Sequence, residues 1–310
     1  MSQRSNERIA YFNGKYVPES EVRVPFRDRS FLYGDGCFDM TRTFNGTPFR
    51  VEEHIERFYR SLAYLRIDTG MKPKEMMEVT HEVVKRNAHL LAKGEDWWVG
   101  QRVSRGVKSV GDGMDPWEHM GPNVVVDCMP LPFKTRAPHY RDGIRVIVPS
   151  VRRTPPGSLS PRVKTHNYLN MIMGELEVKD RDPEAWGVLL DENGNLCEGI
   201  GSNIFVVKDG RISTPLGKYV LEGISRQTVM ELARQEGFEL VERDIDLYDA
   251  YTADEVFLTS TSLCLCPVVK VNHAVIGDGK VPGPVAKKLL GAYSKLVGCD
   301  IEGQYLKHLG

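Results

Sequence analysis

From Val51 to Ile67 the apolar positions fall at 51, 55, 58, 62 and 65, steps of three and four that lay one apolar stripe along a helix. Residues 74–92, rich in Met and Val, predict a second helix; Trp97–Val103 and Asn123–Met129 predict strands. Tyr11-Phe-Asn-Gly-Lys-Tyr-Val17 predicts a hairpin, because Asn-Gly accepts the positive φ angles of a two-residue turn, and Thr43-Phe-Asn-Gly-Thr47 predicts another.

Pro130-Leu-Pro-Phe-Lys-Thr-Arg-Ala-Pro138 is rich in proline and poor in periodicity, which predicts a linker over 130–142. Beyond it the pattern predicts a strand over Ile144–Val148, a Pro-Pro-Gly loop at 155–157, and a helix after Lys164. Hairpins then follow through Trp186–Asp191, the Asn193-Gly194 turn, Ile204–Val207 and the Asp209-Gly210 turn. Ser225–Glu236 predicts a helix closed by Gly237, and Glu255–Thr259 another strand. Strands and helices mix without strict βαβ alternation, so the expected class is α+β or mixed α/β. The expected domains are a smaller N-terminal one over 1–129 and a larger C-terminal one over 143–310.

Composition narrows the function by exclusion. Lys and Arg number 41 against 42 Asp and Glu, which gives no electrostatic reason to expect nucleic acid or an anionic membrane. The N-terminal stretch lacks a signal-peptide core, and no apolar run approaches a membrane span. The six cysteines, at 37, 128, 197, 264, 266 and 299, include no Cys-x-x-Cys; reduced thiols and a cytoplasmic location are expected. The eight histidines show no metal-ligand spacing, and no metal is expected.

Three polar features stand out from this frame. Lys164, in Arg162-Val-Lys-Thr-His-Asn-Tyr168, stands where an irregular loop gives way to a helix; alone it is most simply a solvated surface lysine. Glu198, in Cys197-Glu-Gly-Ile-Gly-Ser-Asn203, occupies a glycine-rich bend between hydrophobic strands, most simply as an exposed turn glutamate. Leu221-Glu-Gly-Ile-Ser-Arg226 opens a helix through a glycine, which suits an anion at backbone N–H groups but is a common helix start.

Their order changes the reading. The chain resembles the class IV aminotransferases, a family that includes branched-chain, D-amino-acid and (R)-selective amine transaminases and aminodeoxychorismate lyase. The resemblance runs from about Ala10 to Val285. It is carried by Phe31-Leu-Tyr-Gly-Asp-Gly-Cys-Phe38, His54-Ile-Glu-Arg-Phe-Tyr-Arg-Ser61, Lys164-Thr-His-Asn-Tyr168, Glu198-Gly-Ile-Gly-Ser-Asn203, Leu221-Glu-Gly-Ile-Ser-Arg226 and Thr259-Ser-Thr261. It implies a two-domain fold type IV enzyme, similar to D-amino-acid aminotransferase, with pyridoxal 5′-phosphate (PLP) in the interdomain cleft.

By that resemblance Lys164 would hold the cofactor covalently and move the proton, a task for a compact amine on a flexible stem. Glu198 would keep the pyridine nitrogen protonated, and Tyr168 would bond the ring's phenolic oxygen. Arg57, the backbone N–H groups of Ile224 and Ser225, and Thr261 would take the phosphate, while Leu221 would pack on a ring face. Tyr33, Phe38, Met40 and Arg42 would line the substrate pocket, partly across a homodimer interface. The implied reaction is ping-pong amino transfer between an amine or amino acid and an α-keto acid.

The donor stays open. Arg42 matches the branched-chain pattern Phe-Glu-Gly-x-Arg, but Asp39 and Met40 depart from it, and the strand Trp98–Arg105 shows no clear Tyr-x-Arg. After Arg105-Gly106 the carboxylate-binding arginine of the D-amino-acid and (R)-amine enzymes is missing. Val151-Arg-Arg-Thr-Pro-Pro-Gly157 nevertheless resembles the (R)-amine loop. An (R)-amine or D-amino acid, or a branched-chain L-amino acid, both fit. The alternative chemistry is a lyase of the aminodeoxychorismate type.

Overall fold

The computed structural model describes residues 7–111 and 118–309. The chain forms two compact units: one holds residues up to Leu131 together with Val163–Tyr168, the other Pro132–Arg162 and the chain from Leu169 onward.

In the first unit β1 (Ile9–Phe12) and β2 (Lys15–Pro18) make the Asn-Gly hairpin, with Phe12 opposite Lys15 and both Asn13 (φ 46°) and Gly14 (φ 90°) left-handed. After α1 (Arg29–Tyr33), the long β3 (Gly36–Phe44) turns into β4 (Thr47–Pro48). With β5 (Trp97–Ser104) and β8 (Asn123–Pro130) these build a six-stranded sheet ordered β2-β1-β8-β5-β3-β4; β6 (Val107–Lys108) and β7 (His119–Met120) pair separately. The two striped segments are helices α2 (Val51–Leu65) and α3 (Pro73–Asn87). Ile55, Phe58 and Leu62 of α2 and Met76, Val83 and Val84 of α3 share one core with Cys37, Val99, Val103, Val124 and Val126 of the sheet. Each such side chain contributes about 1.5–3 kcal/mol of transfer free energy. Because the pleat alternates, Asp39 points to the helix side, whereas Phe38, Met40, Gly100, Arg102 and Asp127 belong to the other face.

The second unit runs α4 (Phe133–Asp142), β9 (Ile144–Ile147), α5 (Leu169–Arg181), β10 (Trp186–Leu190), β11 (Leu196–Gly199), β12 (Asn203–Lys208), β13 (Arg211–Thr214) and α6 (Ile224–Gln235). It continues through β14 (Leu240–Glu242), α7 (Leu247–Tyr251), β15 (Glu255–Ser260), β16 (Cys264–Val271), β17 (Ala274–Val275), α8 (Pro284–Val297) and α9 (Ile301–Leu306). Pairing runs β11-β10-β9-β16-β15-β12, and an added β11–β12 pairing closes these six strands into a ring; β13 and β14 extend it.

Two expectations need correction. The proline-rich stretch is not an irregular linker over 130–142: from Phe133 it is helix α4, with Phe133, Ala137 and Tyr140 buried on one side. The Phe133 ring lies 4.9 Å from that of Tyr305, and the Tyr140 hydroxyl donates to the Leu263 carbonyl. This burial outweighs the roughly 3 kcal/mol cost of Pro138 inside the helix. The lysine segment falls within the expected C-terminal domain, yet Val163–Tyr168 groups with the first unit. Its backbone binds β3: the Phe38 N–H donates to the Lys164 carbonyl (2.9 Å) and the His166 N–H to the Gly36 carbonyl (2.8 Å).

Candidate active site

The lysine is placed by non-helical backbone bonded to β3, with a tight turn from Val163 to Thr165; α5 begins only at Leu169. Beyond the bonds to β3, its own N–H donates to Ser61 Oγ of α2 at 3.3 Å. With the backbone fixed at both sides, the half-buried side chain carries Nζ to 3.2 Å from the Tyr168 hydroxyl. The same ammonium stands 4.5 Å from the centre of the Phe38 ring, which meets the Tyr168 ring edge-on at 5.4 Å. Lys164, Tyr168 and Phe38 are thus one cluster. Lys164 is held by an aromatic face, a hydroxyl and a fixed stem, not left as a solvated side chain.

Other first-unit candidates are placed differently. Met40 is buried, with Sδ 3.7 Å from Arg102 Nη2. Arg42 is 2% exposed, stacked 3.9 Å over Phe44, bonded to the Thr43 carbonyl and paired with Asp96. That is a buried structural ion pair, and Arg42 presents no accessible guanidinium to a substrate. Tyr33, 51% exposed at the end of α1, accepts a long hydrogen bond from Lys108.

Arg57 lies buried on α2 and grips Asp39 in two bonds, Nε to Oδ2 (2.9 Å) and Nη2 to Oδ1 (2.7 Å). His54 Nδ1 is 2.7 Å from the same carboxylate. Burial alone would push the Asp39 carboxyl up, but Arg57 and His54 outweigh it and hold it far below the usual carboxylate range. The departure noted at position 39 therefore has a structural use: Asp39 orients Arg57.

In the second unit Glu198 ends β11 at 4% exposure, which rules out the exposed-turn reading. Oε1 accepts from Arg153 Nε at 2.8 Å and Oε2 from the Leu221 N–H at 2.9 Å. Arg153 is held in turn through its N–H on the Leu190 carbonyl (2.8 Å). Asn203, opposite Glu198 at the start of β12, donates to the Leu221 carbonyl at 2.9 Å. So Leu221 is fixed at both its N–H and its carbonyl. A Cβ at Gly223 would come within 2.2 Å of Asn203 Oδ1, so any larger residue would displace the Asn203 amide that holds Leu221. No side chain caps α6, whose first residues are Ile224 and Ser225, both buried. Thr261 stands in the turn between β15 and β16, beside buried Ser260 and Ser262.

These residues are chemically suited to PLP. A carboxylate offers about four lone-pair sites and Glu198 uses two within the protein, leaving capacity for a ring N–H. An uncapped helix start suits a phosphate. Sequence reasoning missed Arg153, Asn203, Arg102 and Asp39. For Arg153 the signal lay in the quoted Val151–Gly157 loop, but its pairing with Glu198 is a property of the fold.

Comparison with known proteins agrees. The family model described as amino-transferase class IV matches residues 36–271. A Methanocaldococcus jannaschii protein named by inference as a branched-chain-amino-acid aminotransferase is 38% identical over 280 residues, covering 90% of this chain and 93% of its own length. The aminodeoxychorismate lyase of Bacillus subtilis is 32% identical over 285 residues, 91% of this chain and 93% of its own. The structure of a T.th. branched-chain amino acid aminotransferase complexed with N-(5′-phosphopyridoxyl)-L-glutamate superposes with a TM-score of 0.82 at 29% identity, covering 94% of this chain and 95% of that one. The chain belongs to the class IV aminotransferase family and has the fold type IV architecture.

Proposed function

We propose that this aminotransferase works with PLP through Lys164, Tyr168 and Arg57 of the first unit and Glu198, Leu221, Ile224, Ser225 and Thr261 of the second. When bound, the cofactor supplies an electron sink for charge developing at the donor's Cα. The protein groups do the rest. Lys164 Nζ holds the cofactor and carries the proton taken from the donor's Cα, with the Tyr168 hydroxyl orienting it. Glu198, fixed in place by Arg153, receives the ring N–H. Arg57, steadied by Asp39, and the start of α6 neutralise the phosphate. The observation that carries this reading is the Lys164–Tyr168 contact over the Phe38 ring.

The reaction is ping-pong amino transfer to an α-keto acid, from an (R)-amine or D-amino acid or from a branched-chain L-amino acid. Phe38 and Met40 line the donor site. Arg102, beside both, adds a cation able to take a substrate carboxylate. A panel of L-amino acids, D-amino acids and both 1-phenylethylamine enantiomers, read by the cofactor spectrum, decides the donor. The Bacillus relative favours one second reading, a lyase. Release of pyruvate and an aromatic amine, with no pyridoxamine phosphate, would establish it.

We also propose a homodimer in a reducing, cytoplasmic setting. Helix α5 exposes Leu169, Ile172, Met173 and Leu176 along one stripe, and α1 exposes Phe31, Leu32 and Tyr33; each is an apolar face of the kind that marks an interaction surface. None of the six cysteines is in a disulfide among the described residues. Sedimentation equilibrium showing a monomer would overturn the dimer.

A further inference from the structure

Arg102 and Asp127 face each other in an unfinished way. Arg102 Nε is 3.4 Å from Asp127 Oδ1, yet that oxygen is buried with no hydrogen bond, and the guanidinium's closest other partner is the Met40 sulfur at 3.7 Å. The Arg102 side chain keeps 37% of its surface exposed, Asp127 only 17%. The guanidinium also stands 5.5 Å from the centre of the Phe38 ring, the ring that Lys164 shares. Gly100, in register with Met40 on one side and Asp127 on the other, leaves room for this arrangement: a Cβ there would come within 2.8 Å of Asp127 Oδ1 and 3.0 Å of Met40 Sδ.

We infer that Asp127 is a specificity-determining residue: it neutralises Arg102 when an uncharged group lies beside Phe38, and yields Arg102 when that group carries a carboxylate. The inference rests on the proposed ping-pong reading, in which two chemically different substrates use one site in turn. A bare guanidinium would disfavour an apolar substituent, whereas an arginine locked in two short bonds, as Arg57 is on Asp39, would not leave for a ligand. One long contact with a partly exposed arginine is weak enough to exchange. Burial pushes the Asp127 carboxyl up, and Arg102 offsets this only in part, so a released Asp127 can take a proton instead of standing as an unpaired charge. The other charges near it are Glu19 and Arg8, which pair with each other.

The test is calorimetric binding of glutarate and valerate, equal in length and different by one carboxylate, to the cofactor-loaded enzyme. Asp127→Asn should tighten glutarate about fivefold or more and weaken valerate, because the guanidinium is then left bare beside an apolar group. Arg102→Gln should weaken glutarate, and adding Asp127→Asn to it should then change nothing. Equal shifts for both ligands, no shift, or an Asp127→Asn effect that survives without Arg102 would overturn the inference. The half-reaction of the wild type with an amine donor reports separately on the proposed cofactor roles; its failure would sink those and leave the glutarate result standing.

Discussion

Arg153 donates from Nε to Glu198 Oε1 at 2.8 Å, so the carboxylate proposed for the ring nitrogen is itself fixed by a cation. Both side chains are nearly out of water, at 14% and 5% exposure. Removing one partner of such a pair leaves a buried charge uncompensated, typically at about 3–5 kcal/mol. Arg153→Met should therefore lower PLP affinity and slow turnover about 10²- to 10³-fold, as should Glu198→Gln, with Arg153→Lys recovering part of both losses. Gln at 198 can accept only one of the bonds from Arg153 and Leu221, so its loop should also loosen. If Arg153→Met lost stability but kept PLP affinity and turnover, the arginine would be structural only.

Lys164→Ala should abolish turnover, because no other amine among the described residues shares the Phe38–Tyr168 cluster. The wild-type protein should be yellow, and borohydride followed by peptide mapping should leave the pyridoxyl group on Lys164. A label on another lysine would move the site.

Arg57 has two duties that one variant can separate. Arg57→Ala should weaken PLP binding about 10- to 150-fold, the loss of a charge-assisted bond, and should also destabilise the apoprotein by stranding Asp39. Phosphate titration and denaturation of the apoprotein measure the two effects apart. Unchanged PLP affinity with lowered stability would reduce Arg57 to the partner of Asp39.

What could be read from the chain depended on how local each signal was. The Asn13-Gly14 and Asn45-Gly46 turns and the Val51–Leu65 stripe are specified by neighbouring residues, and the elements form where expected. The site motifs were legible as strings, but the Arg153–Glu198 and Arg102–Asp127 pairs arise from a loop crossing a strand end and from the register of β5 on β8. Arg42 shows the reverse case: a motif match whose side chain is spent on Asp96 and Phe44. Helix α4 was hidden because its buried stripe at 133, 137 and 140 is preceded by Pro130 and Pro132 and interrupted by Pro138, and contacts such as that with Tyr305 reveal it.

That helix also carries one of the groups that set mild acid sensitivity. His139 Nε2 accepts the indole N–H of Trp186 at 3.2 Å, a bond only the neutral ring can make. Burial, helped by Arg136 and Lys179, lowers His139 to about 4, and burial beside Arg102 lowers His166 to about 4 as well. The unfolded chain binds these protons near pH 6.5. Between about pH 6.5 and about 4 the unfolded state therefore holds more protons than the folded state, so stability rises with pH there and is lost on acidification. The depressed carboxylates act lower: Asp182, held at about 2 by Arg145, begins to matter only as pH falls below the ordinary aspartate value of about 3.9. His139→Gln can still accept from Trp186 without titrating. It should flatten the stability-versus-pH curve in this window by about 1 kcal/mol per pH unit, one proton's share, while changing stability little at about pH 8. Urea midpoints across this range measure the slope, and the His139 ring resonance should titrate near pH 4. A variant whose curve runs parallel to the wild type, or a His139 resonance titrating at the ordinary value of about 6.5, would mean that burial does not hold the ring neutral.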